Sequence, residues 1–243
     1  IRSDADIARL QEDMNAIQLW CSTWCMELNV KKCKVMHVST KSTSPHEYHM
    51  TEIDQLGNAV QLLLEQTKSE RDLGVQIAND LNSADQCSKA AAKANSFLGL
   101  LKHTFVYRGN DLWRRLYMTY IRPLLEFAVS AWSPQWEKDN NVLESVQRRA
   151  TKIPHELRPL CYECRCARLG FTSLTTRRIR GDLIQKYKFE KGFELVNWHE
   201  TPPHIPPIYG HRTRYHREID KHCSQRFSFF NNRIADPWNA LTD

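Results

Sequence analysis

Three cysteines stand as Cys161-x2-Cys164-x-Cys166, a spacing that can gather thiolates around a tetrahedral zinc ion if His155, His222 or Cys223 supplies a fourth ligand. No second ligand pair follows at a finger-like interval, so free or buried thiols are the competing expectation. The same stretch is strongly basic: residues 145–191 hold 12 Lys and Arg against 4 Asp and Glu, beside aromatics such as Tyr187. Cations grouped with aromatics suit the phosphates and bases of a nucleic acid, and they equally suit a solvated helix face. His199, His204, His211, His216 and His222 follow no metal-ligand spacing, and no cysteine stands in a Cys/His/Asn nucleophile pattern. The chain contains no Asp-Asp pair.

The rest of the composition sets bounds. With 243 residues, 41% hydrophobic and 26% charged, the chain can bury a core as one large domain or two small ones. No apolar run approaches the ~18 residues of a membrane span, and no signal-peptide pattern opens the chain. Eight cysteines are too sparse for a disulfide scaffold and point to a reducing compartment. The net charge of +6 is unevenly spread: residues 1–86 carry 8 basic and 13 acidic groups, so the positive excess lies later. The first residue is Ile1, which suggests a piece of something longer.

The elements that must position these groups can be read from periodicity. Ser3 with Asp6 is an N-cap signal for a helix carrying Ile7, Leu10, Met14, Ile17, Trp20 and Trp24 and ending near Asn29. Cys33–Val38, Tyr48–Thr51, Val60–Leu64 and Leu73–Ile77 read as strands, with a turn at Gly57-Asn58. From Asp85 the pattern becomes helical. Lys89–Phe105 is Ala-rich, Asp111–Trp132 is to be kinked or split by Pro123, and Asp139–Lys152 is to end before Pro154. In the last of these, Gln147, Arg148, Arg149 and Lys152 fall on the polar side. Thr172–Lys191 reads as a helix with an apolar side of Leu174, Leu183, Ile184 and Tyr187 and a basic side of Arg177, Arg178, Arg180, Lys186 and Lys188. Pro202, Pro203, Pro206 and Pro207 mark a linker, and Arg226–Leu241 can dock back as a helix.

Five blocks recur in a familiar order. They are Leu10-Gln11-Glu12-Asp13 through Trp20-x3-Trp24 and Leu28-Asn29-x2-Lys32; Asp72-Leu73-Gly74-Val75; Ala91-x2-Ala94-Asn95 with Arg122-Pro123-Leu124-Leu125-Glu126; Trp132-Ser133-Pro134 with Gln147-Arg148-Arg149-Ala150-Thr151-Lys152; and Leu169-Gly170-Phe171-Thr172-Ser173-Leu174 with Arg177-Arg178-x-Arg180-Gly181-Asp182-Leu183-Ile184. Together they resemble the C-terminal part of the reverse transcriptase of non-LTR (LINE-type) retrotransposons, an RNA-directed DNA polymerase.

The resemblance implies an α+β fold: a partial palm over residues 1–83, a helical thumb over 84–153, a basic post-thumb region over 154–195, and a Pro-rich linker with a C-terminal segment over 196–243. Lys32 would sit on the pyrophosphate side as general acid. Leu73, Gly74 and Val75 would grip the primer end, and Arg148, Arg149, Lys152, Arg177, Arg178 and Arg180 would contact phosphates of an RNA template–DNA primer duplex. The family enzyme needs Mg²⁺ held by an Asp-Asp turn upstream of the matched region. This chain lacks that turn, so no cofactor of its own is expected and the chain alone should be inactive. A nuclear, intracellular location and a missing N-terminal part of the polymerase are further implications. The alternative is a non-catalytic nucleic-acid- or protein-binding module of transposon origin, or a decayed product. If about five phosphates are neutralised, log K falls against log salt with a slope near −4. An unpaired sheet edge and an exposed apolar face around Val35, Leu62 and Leu64 are expected, with poor solubility for 1–83 alone and independent folding for 84–191.

Overall fold

The computed structural model describes residues 3–39, 46–53, 56, 58–196, 204–205, 214–218 and 223–241. The Gly57 half of the expected turn, the four linker prolines, and His199, His211 and His222 lie outside them. The architecture is α+β, and the chain divides between Leu81 and Asn82 into two compact units.

In the first unit, α1 (Asp4–Thr23) starts at a capping box in which Ser3 and Asp6 each satisfy the other's backbone N–H. It stops six residues before Asn29. Cys25 takes a left-handed φ of 54°, and the Met26 and Cys25 N–H groups return to the Cys21 and Ser22 carbonyls, a Schellman ending without glycine. A 3-10 turn (Val30–Lys32) leads into β1 (Lys34–Val35), much shorter than the expected Cys33–Val38 strand. Then come β2 (His49–Ile53) and β3 (Ala59–Leu63), an antiparallel pair, and β4 (Glu65–Gln66), parallel to β1.

Leu64 is buried with Val30, Tyr48 and Met50, and Val35, Leu62, Ile7 and Met14 pack against them. The apolar face expected to be exposed around Val35, Leu62 and Leu64 is therefore the core of this unit. The free edge is also partly covered. Gln11 and Gln18, two turns apart on α1, bond to β2 as a strand would, Gln11 to both the N–H and C=O of His49 and Gln18 to those of Thr51. What stays exposed is the other side of α1, with Leu19 71% and Trp24 65% accessible. The expected Leu73–Ile77 strand is instead a hairpin of β5 (Ser69–Asp72) and β6 (Val75–Ala78), whose two-residue turn is Leu73-Gly74.

In the second unit, α2 (Ala84–Thr104) buries Ala90, Ala94, Leu98 and Leu101. The segment around Pro123 stays helical from Asn110 to Glu126, with its regular α geometry interrupted just before the proline. α3 (Asn110–Leu116) continues through a π-helical turn (Tyr117–Ile121) into α4 (Arg122–Glu126), and the Arg122 N–H reaches back to Tyr117. Pro123 has no N–H to give and its ring crowds the carbonyl four residues back, so a widened turn just before it relieves both. The buried side is Trp113, Leu116, Tyr117, Ile121 and Leu125, one residue out of phase with the expected face, which leaves Tyr120 and Phe127 about half exposed.

α5 (Glu137–Ala150) packs on α2. A 3-10 turn (His155–Leu157) follows the buried Pro154, then α6 (Tyr162–Leu169), closed by Gly170 at φ 64°, and α7 (Leu174–Glu190), capped by Ser173. The strands β7 (His204–Ile205) and β8 (Arg214–Tyr215) pair with each other. After α8 (Ser224–Phe227), α9 (Phe230–Asn239) docks on α7, burying Ile234, Ala235 and Trp238. Residues on both sides of Pro154 belong to this unit.

Candidate nucleic-acid interface

Lys32 ends the 3-10 turn before β1 and is exposed. Its neighbours are engaged: Lys31 with Glu52 at 3.6 Å, and Lys34 with Glu70 at 2.9 Å and Glu65 at 3.7 Å. The Lys34 pairing joins the strand after Lys32 to the hairpin that carries Leu73 and Gly74, so the two sequence-predicted groups of this unit stand on linked elements. Lys34 holds the Glu70 carboxyl below its ordinary range through their hydrogen bond. At the hairpin tip, Leu73 and Gly74 have φ of 45° and 90°. This is the pair of positive values that a two-residue turn with the twist of a hairpin needs, and Gly74 adopts it without cost. Leu73 is 90% exposed there, and Val75 is half-buried in β6 opposite Asp72.

In the second unit the six basic residues separate. Arg148, Arg149 and Lys152 are exposed along α5 and its end. Arg149 Nη1 donates to Asn95 Oδ1 of α2 at 2.7 Å, and the Arg148 guanidinium lies 5.1 Å from the centre of the Tyr162 ring. Beneath them the expected polar face turns inward. Gln147 is 1% exposed; its side-chain oxygen accepts from the Tyr117 hydroxyl at 2.8 Å, and its Nε2 donates to the Tyr162 oxygen at 2.9 Å and to the Thr172 carbonyl at 3.1 Å. Tyr162 in turn donates to Glu144, whose other oxygen accepts the Leu174 N–H at 3.0 Å. Burial, and for Tyr162 also the bond to Glu144, raise both tyrosine pKa values well above the usual range, so both hydroxyls keep their protons as donors. Polar atoms of Glu144 and Gln147, four residues and one residue before Arg148, thus fix the helix while the cations face water. Periodicity alone could not find this network, because its partners come from the π-helical turn, α6 and the α7 start.

The α7 cations behave differently. Arg177 is bound through two nitrogens to Glu126, one bond measuring 2.9 Å, and that bond raises its pKa. Arg178 is 3% exposed, with Nη2 on Asn140 Oδ1 at 2.5 Å, and burial pushes its pKa down. It is out of reach of a phosphate, which corrects the expectation for this residue. Lys186 is likewise buried, 3.8 Å from the Tyr215 ring centre and 2.9 Å from Glu190, while Asp182 holds Arg233 at 2.8 Å. Arg180 is exposed, and so, at about half, are Ile184 and Tyr187. The expected apolar and basic sides of this helix are therefore partly exchanged. A cavity of about 300 Å³ beside it is lined by Gln185, Phe189, Phe229, Phe230 and Arg233, and the Asp182 pairing neutralises its one cation.

Asp6 is engaged in the capping box, and Asp4 and Asp6 both belong to the first turn of α1. Among the described residues no group of three or more His, Cys, Asp or Glu is placed to hold a metal ion. Cys161 and Cys164 are exposed whereas Cys166 is buried near the Gln147 amide, so the cysteine cluster is split between two sides of α6. No family model, curated protein or solved structure matches the chain.

Proposed function

We propose that the chain is the closing part of a non-LTR retrotransposon reverse transcriptase, and that its second unit binds an RNA template–DNA primer duplex without regard to sequence. Arg148, Arg149, Lys152 and Arg180 are the phosphate contacts. One observation carries this reading: α5 and the turn after it keep Arg148, Arg149 and Lys152 exposed while α5 buries Glu144 and Gln147, so the polar residues here are divided between holding the fold and facing solvent. A merely solvated helix would not need the second group. The ordered sequence blocks supply the polymer class, and the exposed Leu73-Gly74 tip supplies a surface for the primer end. Polymerisation belongs to the longer enzyme with its Mg²⁺ site; the chain alone is expected to give no primer extension with Mg²⁺ or Mn²⁺.

Fluorescence anisotropy with a labelled RNA·DNA duplex tests the binding. With four phosphates neutralised, the slope of log K against log salt is expected near about −3.5, and near about −1 in the Arg148→Ala/Arg149→Ala/Lys152→Ala variant. No binding at low salt, or an unchanged slope in the variant, would overturn the reading. A protein-binding module is the second reading, favoured by the exposed Trp20 and Trp24 of α1. It requires retention of a protein partner by a chain that ignores the duplex.

A further inference from the structure

One pair of cysteines has a geometry that phosphate contact does not use. Cys161 is the N-cap of α6 and Cys164 is the third residue of that helix; the Cys164 N–H donates to Cys161 Sγ at 3.3 Å. Both side chains are exposed, while Cys166 is buried on the inner side. At the starts of α1 and α7 the same capping bond is made by Ser3 and Ser173. Sulfur is the weaker acceptor, so capping alone does not explain a cysteine at 161. A helix start that departs from local preference is where a site is to be sought.

The spacing supports one chemistry. An N-cap and the third residue beyond it lie one turn apart, about 5–6 Å between Cα atoms, which is the separation a disulfide spans. The Cys164 N–H is already aimed at Cys161 Sγ, which holds the two cysteines on the same first turn of the helix. Cys164 holds its proton more firmly than an ordinary thiol because of its hydrogen bond to and charge beside Cys161. Tyr162, between the two, is anchored through its hydroxyl to Glu144 and Gln147, which fixes the first turn of the helix.

We propose that Cys161 and Cys164 are a redox-active dithiol that exchanges with a small disulfide of the glutathione class to close an intramolecular Cys161–Cys164 bond. The Cys161 thiolate attacks one sulfur of oxidised glutathione, forming a mixed disulfide and releasing one glutathione thiolate. Cys164 then loses its proton and attacks Cys161 Sγ, releasing the second. The protein gives up two protons and two electrons, and the oxidised glutathione takes them up to become two reduced molecules. The site stands independently of nucleic-acid binding.

The test uses the full chain equilibrated in glutathione buffers of graded redox ratio, acid-quenched, blocked with N-ethylmaleimide and mapped by peptide mass. The expected result is a peptide containing Cys161 and Cys164 that is two hydrogens lighter and carries no maleimide, its amount rising with the oxidised fraction. Cys164→Ser is expected to trap glutathione on Cys161 instead. Cys161→Ser retains a capping hydroxyl, so its circular dichroism should match the parent while the internal disulfide is lost. A parent chain that accumulates glutathione adducts at these positions, links Cys164 to Cys166, or stays reduced where Cys164→Ser is modified would overturn the proposal.

Discussion

Arg178 sits under α7 with its guanidinium on Asn140, whereas Arg148 projects from α5 with the Tyr162 ring beside it. The two arginines should therefore fail in opposite assays. Arg178→Ala removes a buried, hydrogen-bonded charge and is expected to lower stability by roughly 3 kcal/mol while leaving the salt slope of duplex binding unchanged. Arg148→Ala is expected to leave the thermal midpoint near that of the parent and to reduce the slope by about 1. Cys87 offers a pH counterpart. Burial pushes its pKa up to about 12 from an ordinary 9.0, so the folded state favours the neutral thiol. That contribution is complete below pH 9 and is lost as pH rises toward 12. Denaturant titrations across this window should show a shallower alkaline loss in Cys87→Ala than in the parent.

At the scale of elements, the Leu73-Gly74 turn and the Gln147 network are the features with the clearest cost. Leu73 holds a left-handed φ that disfavours a Cβ-bearing apolar residue, so Leu73→Asn is expected to stabilise the hairpin by about 1 kcal/mol, measured by denaturation of the full chain. Gln147→Leu leaves the Tyr117 hydroxyl and the Thr172 carbonyl without their partner and is expected to destabilise the second unit by roughly 2–3 kcal/mol. The helices whose capping and apolar spacing agree were largely legible from residues alone: Ser3 with Asp6 marks the start of α1, and of the α2 face expected from Ala90, Ala94, Phe97, Leu98 and Leu101 all but the exposed Phe97 are buried. α7 was not. Its Arg178, Asp182 and Lys186 look like a solvated row until Asn140, Arg233 and Tyr215 arrive from 29 to 51 positions away in the chain, and hydropathy has no sensitivity to such partners. Arg148 and Arg149 stay exposed although Arg148 lies against Tyr162 and Arg149 bonds Asn95, so their side of α5 was readable from its helical period, whereas the inward turn of Gln147 depends on contacts that no local pattern encodes.

For the whole molecule, the buried pairing of Arg233 with Asp182 and the seat of Lys186 against Tyr215 make α7 dependent on the C-terminal residues. A fragment ending at 191 keeps the basic stretch but strands Asp182 and Lys186 without these partners. It is expected to melt about 10 °C below residues 82–243, a comparison that differential scanning calorimetry can make. The division between Leu81 and Asn82 also distributes the indoles unequally. Trp20 and Trp24 lie on the open side of α1, while Trp113, Trp132 and Trp238 are enclosed in the second unit. Solvent already bathes the first pair, so their emission starts red and easily quenched by iodide. A fluorescence-detected melt will consequently register the opening of the second unit and pass almost silently over the first.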